Sequence, residues 1–386
     1  MNKNLKLIAL VATPLVALLA GCGGGGSGVF DHVNSSNRYS KTILIANKAE
    51  YKPQIVNPDL QDAWGISLRP AGAGGHWWLA ANKTGKSLEY IGDVPGNPLH
   101  QDSLQEVTIP DHDGGQGSPT GTVFNVSGAG FVIDQAFPGG APLHGPAKFF
   151  FATDSGIVSA WTERAHTADS GFDRPTSSVI VWDKSQQGEA YFGIAISPNY
   201  NRLYLADFGA HPGVTILNDQ FQDITNGKFQ SPYSGYAPFN VQAVGTSIFV
   251  AYAQQDAPGD SVELHGVGRG KLAEFDLDGN LIATWDDQNL LNAPWGVVKA
   301  PDSGFGLYSG KLLVSNFGNG VVTVFDPSTR KAIDYLRGDD KNPIVVDGIW
   351  DLKFGNGVLE GESTSLYFTA GPNGEADGLF GKFKAE

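Results

Sequence analysis

The sequence predicts an all-β fold on three observations: a strand pattern repeated six times, a second apolar run after every repeat, and glycine-rich punctuation between them. The repeat opens with an aromatic or proline lead-in, passes a small or polar pivot and continues in alternating apolar residues. It stands at Ala63-Trp64-Gly65-Ile66, Pro119-Thr120-Gly121-Thr122, Tyr191-Phe192-Gly193-Ile194, Pro238-Phe239-Asn240-Val241, Pro294-Trp295-Gly296-Val297 and Ile349-Trp350-Asp351-Leu352. The pivots lie 56, 72, 47, 56 and 55 residues apart, the spacing of propeller blades with loops of varying length. The expected architecture is a six-bladed β-propeller of four-stranded blades over residues 38–386.

The repeats supply the first strand of each blade. Runs such as Trp77-Trp78-Leu79-Ala80, Phe149-Phe150-Phe151-Ala152 and Leu366-Tyr367-Phe368-Thr369 supply the second; short, aromatic and β-branched, bounded by Gly, Asn and Asp, they read as buried strands. Third strands follow at Gly156–Trp161, Val214–Leu217, Lys271–Phe275 and Val321–Phe325, and fourth strands at Ser178–Trp182, Leu281–Trp285 and Ala332–Leu336. The sixth unit stops after its third strand, at Leu379–Phe383, while Lys41–Ile45 is a spare strand ahead of the first. Pairing the two would close the ring and remove an exposed sheet edge.

The first residues have an order of their own. Lys3 and Lys6 precede an apolar run from Leu7 to Ala20 that is short for a membrane span, which is the order of an export signal. The run ends at Leu19-Ala20-Gly21-Cys22, which resembles the lipobox of bacterial lipoproteins. By that resemblance residues 1–21 are a signal peptide and Cys22 carries the lipid. Cys22 is the only cysteine, so no disulfide partner competes for it, and Gly23-Gly24-Gly25-Gly26-Ser27-Gly28 begins a flexible tether over 22–37. Gly23 stands where aspartate signals inner-membrane retention in many such proteins. The expectation is an exported, monomeric protein, lipid-anchored in a bacterial cell envelope at the outer membrane.

Loss of residues 1–21 would move the formal charge from −14 to −16. That surface disfavours nucleic acid, whose binding depends on Lys and Arg neutralising phosphates. With no cysteine left beyond Cys22, thiol catalysis is excluded from the body. No Gly-x-Ser-x-Gly elbow and no local zinc pair occur. Asp276-Leu277-Asp278-Gly279-Asn280 has the wrong spacing for an EF-hand and reads as a hairpin turn. Asp111-His112-Asp113-Gly114-Gly115 reads as a polar loop, within a long connection from Ile91 to Gly117.

Several segments resemble a family of uncharacterised bacterial extracytoplasmic propellers, some with PEP-CTERM sorting tails. They include Gly235-Tyr236-Ala237-Pro238-Phe239-Asn240-Val241-Gln242, Asn292-Ala293-Pro294-Trp295-Gly296, Pro343–Trp350 and Leu366–Pro372 with Asp377-Gly378-Leu379-Phe380-Gly381. The chain ends at Glu386 without such a tail, as expected of a protein anchored by lipid at its other end. A more distant likeness is to NHL-repeat propellers, which mostly bind partners, and to gluconolactonase-like propellers, which use a metal at the channel.

First strands line the channel of a propeller, so residues beside the pivots converge on one opening. The candidates are Asp62, Trp64, Asn240, Trp295, Asp347, Trp350 and Asp351. Asp62, Asn240, Asp347 and Asp351 offer hard oxygen ligands to a divalent metal such as calcium. The tryptophans offer flat faces to a sugar or another planar ligand. The plainer alternative is that Asn240 and Asp351 satisfy crowded backbone amides while the tryptophans pack between blades. The preferred functional reading is a non-catalytic platform that binds a small molecule, a carbohydrate or an envelope protein. The alternatives are a metal-dependent gluconolactonase-like hydrolase, in which the metal activates water or polarises a lactone carbonyl, and a structural part of an envelope assembly.

Overall fold

The six repeats become the inner strands of a ring. The computed structural model describes residues 34–386 apart from 139, 168 and 170; residues 1–21, Cys22 and most of the proposed tether lie outside the described residues. Inner strands run over Ala63–Ser67, Pro119–Phe124, Tyr191–Ile196, Ala237–Val244, Pro294–Lys299 and Ile349–Phe354. Each packs beside the next, and the sixth beside the first. The protein is a six-bladed β-propeller.

Second strands lie one step out. Every residue of Trp77–Ala81, Phe149–Thr153, Leu312–Asn316 and Leu366–Ala370 is buried. Both faces of each strand are covered, one by each neighbouring blade, which is why these runs are continuously apolar instead of alternating. Burial of each large apolar side chain contributes about 1.5–3 kcal/mol. Third strands include Ile157–Trp161, Gly213–Asn218 and Gly270–Phe275, and fourth strands Val179–Asp183, Leu281–Thr284 and Lys331–Tyr335. In blade 3 the fourth position is held by a single bridge between Leu217 and Asp223. The 72-residue interval has its cause in blade 2, which carries two extra hairpins, Val132–Gln135 with Leu143–Pro146 and Arg164–Ala165 with Phe172–Asp173.

Closure follows the expected route. Tyr39–Ala46 pairs antiparallel with Leu379–Ala385 as the outer strand of blade 6, and Ile55–Val56 adds to it in parallel. Leu44, Ile45 and Ala46 are fully buried there. Ahead of the strand, Asn37 Nδ2 donates to Tyr308 Oη and Asp334 Oδ2, each at 3.0 Å, which ties the same segment to blade 5.

Candidate functional site

At the axis, the pivots show how closely the inner strands approach one another. A Cβ on Gly65 would lie 2.7 Å from the Thr120 carbonyl oxygen and 2.8 Å from the Thr122 nitrogen. One on Gly296 would lie 2.8 Å from the Trp350 carbonyl oxygen. Glycine stands at these positions because the neighbouring backbone occupies the space of a side chain. Asn240 and Asp351 use the same contact differently. Asn240 Nδ2 donates to the Trp295 carbonyl at 2.8 Å. Asp351 Oδ2 accepts from the Ile66 amide at 2.9 Å, and its Oδ1 from Leu352 at 2.7 Å. Burial holds the Asp351 carboxyl above the usual carboxylate range. Hydroxyls catch further carbonyls across the seams, Thr120 that of Tyr191 at 2.6 Å, Ser315 that of Trp350 and Thr369 that of Trp64.

The lead-in aromatics pack together across the axis. Trp64 stacks on Trp350 with ring centroids 3.8 Å apart, and Trp350 stacks on Phe317 at 3.9 Å. Phe192 and Trp295 meet Trp64 edge-on at 5.2 and 6.3 Å. These rings, with Phe239, form one buried cluster. It makes an aromatic floor under the mouth where the inner strands begin.

Over that floor is a cavity of about 320 Å³, lined by Asp62, Trp64, Asn82, Lys83, Asp154, Phe192, Glu263 and Glu375 among others. Asp62 enters it from a left-handed backbone, φ 49°, a conformation that aspartate tolerates better than most residues. Ala293 and Gly348, at the matching positions of blades 5 and 6, are also left-handed. The Asp62 side chain is shut away from solvent. Its Oδ1 accepts from Trp350 Nε1 at 3.0 Å; its Oδ2 makes no well-formed hydrogen bond, although the Trp64 indole N–H lies close enough to lower the carboxyl pKa against burial. The cation nearest that oxygen is Lys83, whose Nζ is 3.9 Å away and also 3.5 Å from Glu375 Oε2. Gly371 makes the room, since a Cβ there would meet Asp62 Oδ1 at 2.2 Å.

Electrostatics follow from this crowding. Burial first, and then the Glu375 charge, raise the Asp62 carboxyl well above its usual range. Burial likewise raises Glu375 and Asp154, the latter despite a 3.2 Å bond from Asn82 Nδ2. At the rim His265 Nε2 lies 2.8 Å from Glu263 Oε1, and the contact raises the imidazole. A buried carboxylate with unused lone pairs costs free energy until a donor or cation meets it.

The sequence-predicted residues divide by depth. Asp62 and Trp64 line the cavity, Trp295 and Trp350 lie in the floor cluster, and Asn240 and Asp351 serve backbone groups along the axis. Asp347 stands on an exposed connection, where its Oδ2 accepts from the Asn373 amide at 3.0 Å. Among the described residues, no three His, Cys, Asp or Glu side chains are grouped so that they could hold a metal ion. Lys83, Asp154, Glu263 and Glu375 come from loops after second strands and carry no motif. The Asp276 loop is a turn in which Asp276 Oδ1 accepts from the Asp278 and Asn280 amides.

The opposite mouth holds a larger cavity of about 560 Å³, bordered by Ser67, Thr122, Gln242 and Lys353. There Ser67 pairs with Thr122, Gln242 Oε1 with the Val297 amide and Lys353 with Asp351, while Arg69 pairs with Glu163 through Nη2 and keeps a buried Nε without a hydrogen-bond partner.

Fold and mouth together define a six-bladed β-propeller with an acidic, aromatic-floored cavity on its axis. No known protein family matches the sequence. The chain is similar to uncharacterized proteins of Acanthamoeba polyphaga mimivirus. One is 26% identical over 346 residues, 88% of this chain and 78% of the relative. A second is 27% identical over 356 residues, 88% and 83% of the two. Among solved structures it is similar to streptogramin B lyase, at 12% identity and a TM-score of 0.45, over 90% of this chain and 97% of that one. Another is a protein of unknown function from Bacteroides caccae, at 11% identity and a TM-score of 0.35, over 56% and 62%.

Proposed function

We propose that this propeller is a binding protein whose Asp62 mouth takes a small organic cation. The observation that carries the reading is the Asp62 carboxyl at the cavity wall, whose Oδ2 is buried and has no hydrogen-bond partner. An ammonium group would meet that oxygen and Glu375 while resting on the faces of Trp64 and Phe192, where cation–π attraction adds about 0.5–2 kcal/mol. The formal charge of −14 favours the approach of cations at low salt.

Titration calorimetry with n-butylammonium and tetramethylammonium chlorides tests the reading. Both should bind the native protein, and Asp62→Asn should weaken them at least tenfold, about 1.4 kcal/mol. Absence of binding by either salt, or equal binding by the variant, would overturn it.

The same proposal puts the binder at a bacterial envelope, exported and lipid-tethered through Cys22, on the strength of the Leu19-Ala20-Gly21-Cys22 tetrad and the glycine run after it. Labelling cells with an alkyne-tagged palmitate should mark the native protein in the membrane fraction and leave Cys22→Ser unmarked. Equal labelling of the two would remove the anchor from the proposal.

A further inference from the structure

A second cavity, of about 500 Å³, adjoins the mouth on the same face between blades 2 and 3. Asp154 and Ser261 border both cavities, so the two share a wall. The second is acidic as well, with Asp111, Asp113 and Glu189 around it. Glu189 shares a feature with Asp62, because its Oε2 is buried and has no hydrogen-bond partner. Each cavity is thus bordered by a carboxyl group with one oxygen outside any hydrogen bond, and a third carboxyl, Asp154, borders both. At the far side His112 Nδ1 pairs with Asp183 Oδ2 at 2.5 Å.

Resting on the reading of the mouth as a cation site, we propose that the ligand is a linear di- or polyamine, with one ammonium at Asp62, its chain over Asp154 and a second ammonium at Glu189. A simple monoamine satisfies only one of the two open oxygens. A metal ion answers the site less well, since among the described residues no three His, Cys, Asp or Glu side chains are grouped to hold one. Alkyl spacers suit the course between them, which begins over the rings of Trp64 and Phe192. A second charge on the same molecule gains from being tethered to the first, because its binding becomes intramolecular.

The test compares n-butylamine, 1,3-diaminopropane, putrescine and spermidine by calorimetry on the native full chain and on Glu189→Gln. Affinity should rise at least tenfold from butylamine to the best diamine or spermidine. Glu189→Gln should lose that gain while binding butylamine as the native protein does, which also shows that the variant is folded. If butylamine binds as tightly as every longer amine, the mouth reading stands and the two-station ligand is overturned. If no amine binds, both fail. Binding of trilysine tenfold tighter than spermidine would overturn the small polyamine in favour of a basic peptide.

Discussion

Trp350 donates its indole N–H to Asp62 Oδ1 at 3.0 Å, joining the last blade to the first. The two residues are 288 apart in the chain, so the bond exists only once the ring is closed. The orientation of the carboxylate at the mouth is thus a product of ring closure, and anything that loosens the closing strand should loosen the site.

Leu44→Ala tests that dependence. Leu44 is fully buried in the strand that completes blade 6, and truncating a buried leucine costs about 2–5 kcal/mol, varying with how far the site relaxes. Denaturant titration followed by tryptophan fluorescence should show a lower midpoint of that size. A shift below about 0.5 kcal/mol, the range of ordinary surface substitutions, would mean that the strand does not hold the ring.

Asp351 and Asp347 were equally eligible as channel ligands in the sequence, and they should now part company. Asp351→Ala strands the buried Ile66 amide, at a cost of about 1–3 kcal/mol. Asp347→Ala, on an exposed connection, should change stability by about 0.5 kcal/mol or less. The same denaturant experiment reads both, and equal losses would contradict the placement.

That contrast shows what the sequence could convey. Inner and second strands were legible because alternation and continuous apolarity follow directly from one- or two-sided burial. The closing strand was legible because a propeller must count its strands, and Lys41–Ile45 fell inside the observed Tyr39–Ala46. Asp62 and Trp64 were legible from their register beside a pivot. Their partners in the mouth were not, because Lys83, Asp154, Glu263 and Glu375 come from loops of four blades whose convergence depends on the ring. The polar pivots pointed to the axis but not to their use, since a side chain there can reach a ligand or the next strand's backbone with the same sequence.

Stability should fall as pH rises from about 5 to 8. Burial pushes Asp207 up to about 6 and Glu360 up to about 7, and it raises Asp62 and Glu375 as well. In this window the unfolded chain has released these protons while the folded chain still holds them, so raising the pH favours unfolding. Asp207 and Glu360 together account for a loss on the order of a few kcal/mol. His76, lowered by burial, works the other way below its ordinary value of 6.5. Asp377, held down to about 2, adds stability that is lost only in stronger acid, as pH drops through the folded value. Calorimetric melting should give a higher Tm at pH 5 than at pH 8, with a smaller difference in Glu360→Gln. A Tm that rises across the window would refute the assignment.

Lys83→Met should make cation binding more dependent on pH, with the sign of the effect changing across the range. In the free protein the Lys83 ammonium stands 3.9 Å from Asp62 Oδ2 and 3.5 Å from Glu375 Oε2, where it repels a second cation. The same charge lowers the pKa of both carboxyls against the effect of burial. Removing it therefore removes a competitor and also makes the carboxyls hold their protons more strongly. In mild acid the second effect wins, because a ligand cation must displace a proton from Asp62. As the pH rises the carboxyls ionise, in the native protein first, so the second effect fades and the loss of repulsion comes to dominate. Tetramethylammonium, whose charge does not titrate, separates the two effects. The ratio of variant to native affinity should be roughly threefold or more higher at pH 9 than at pH 6, where the variant should bind no more tightly. Parallel curves for the two proteins would show that Lys83 does not share the carboxylates with the ligand.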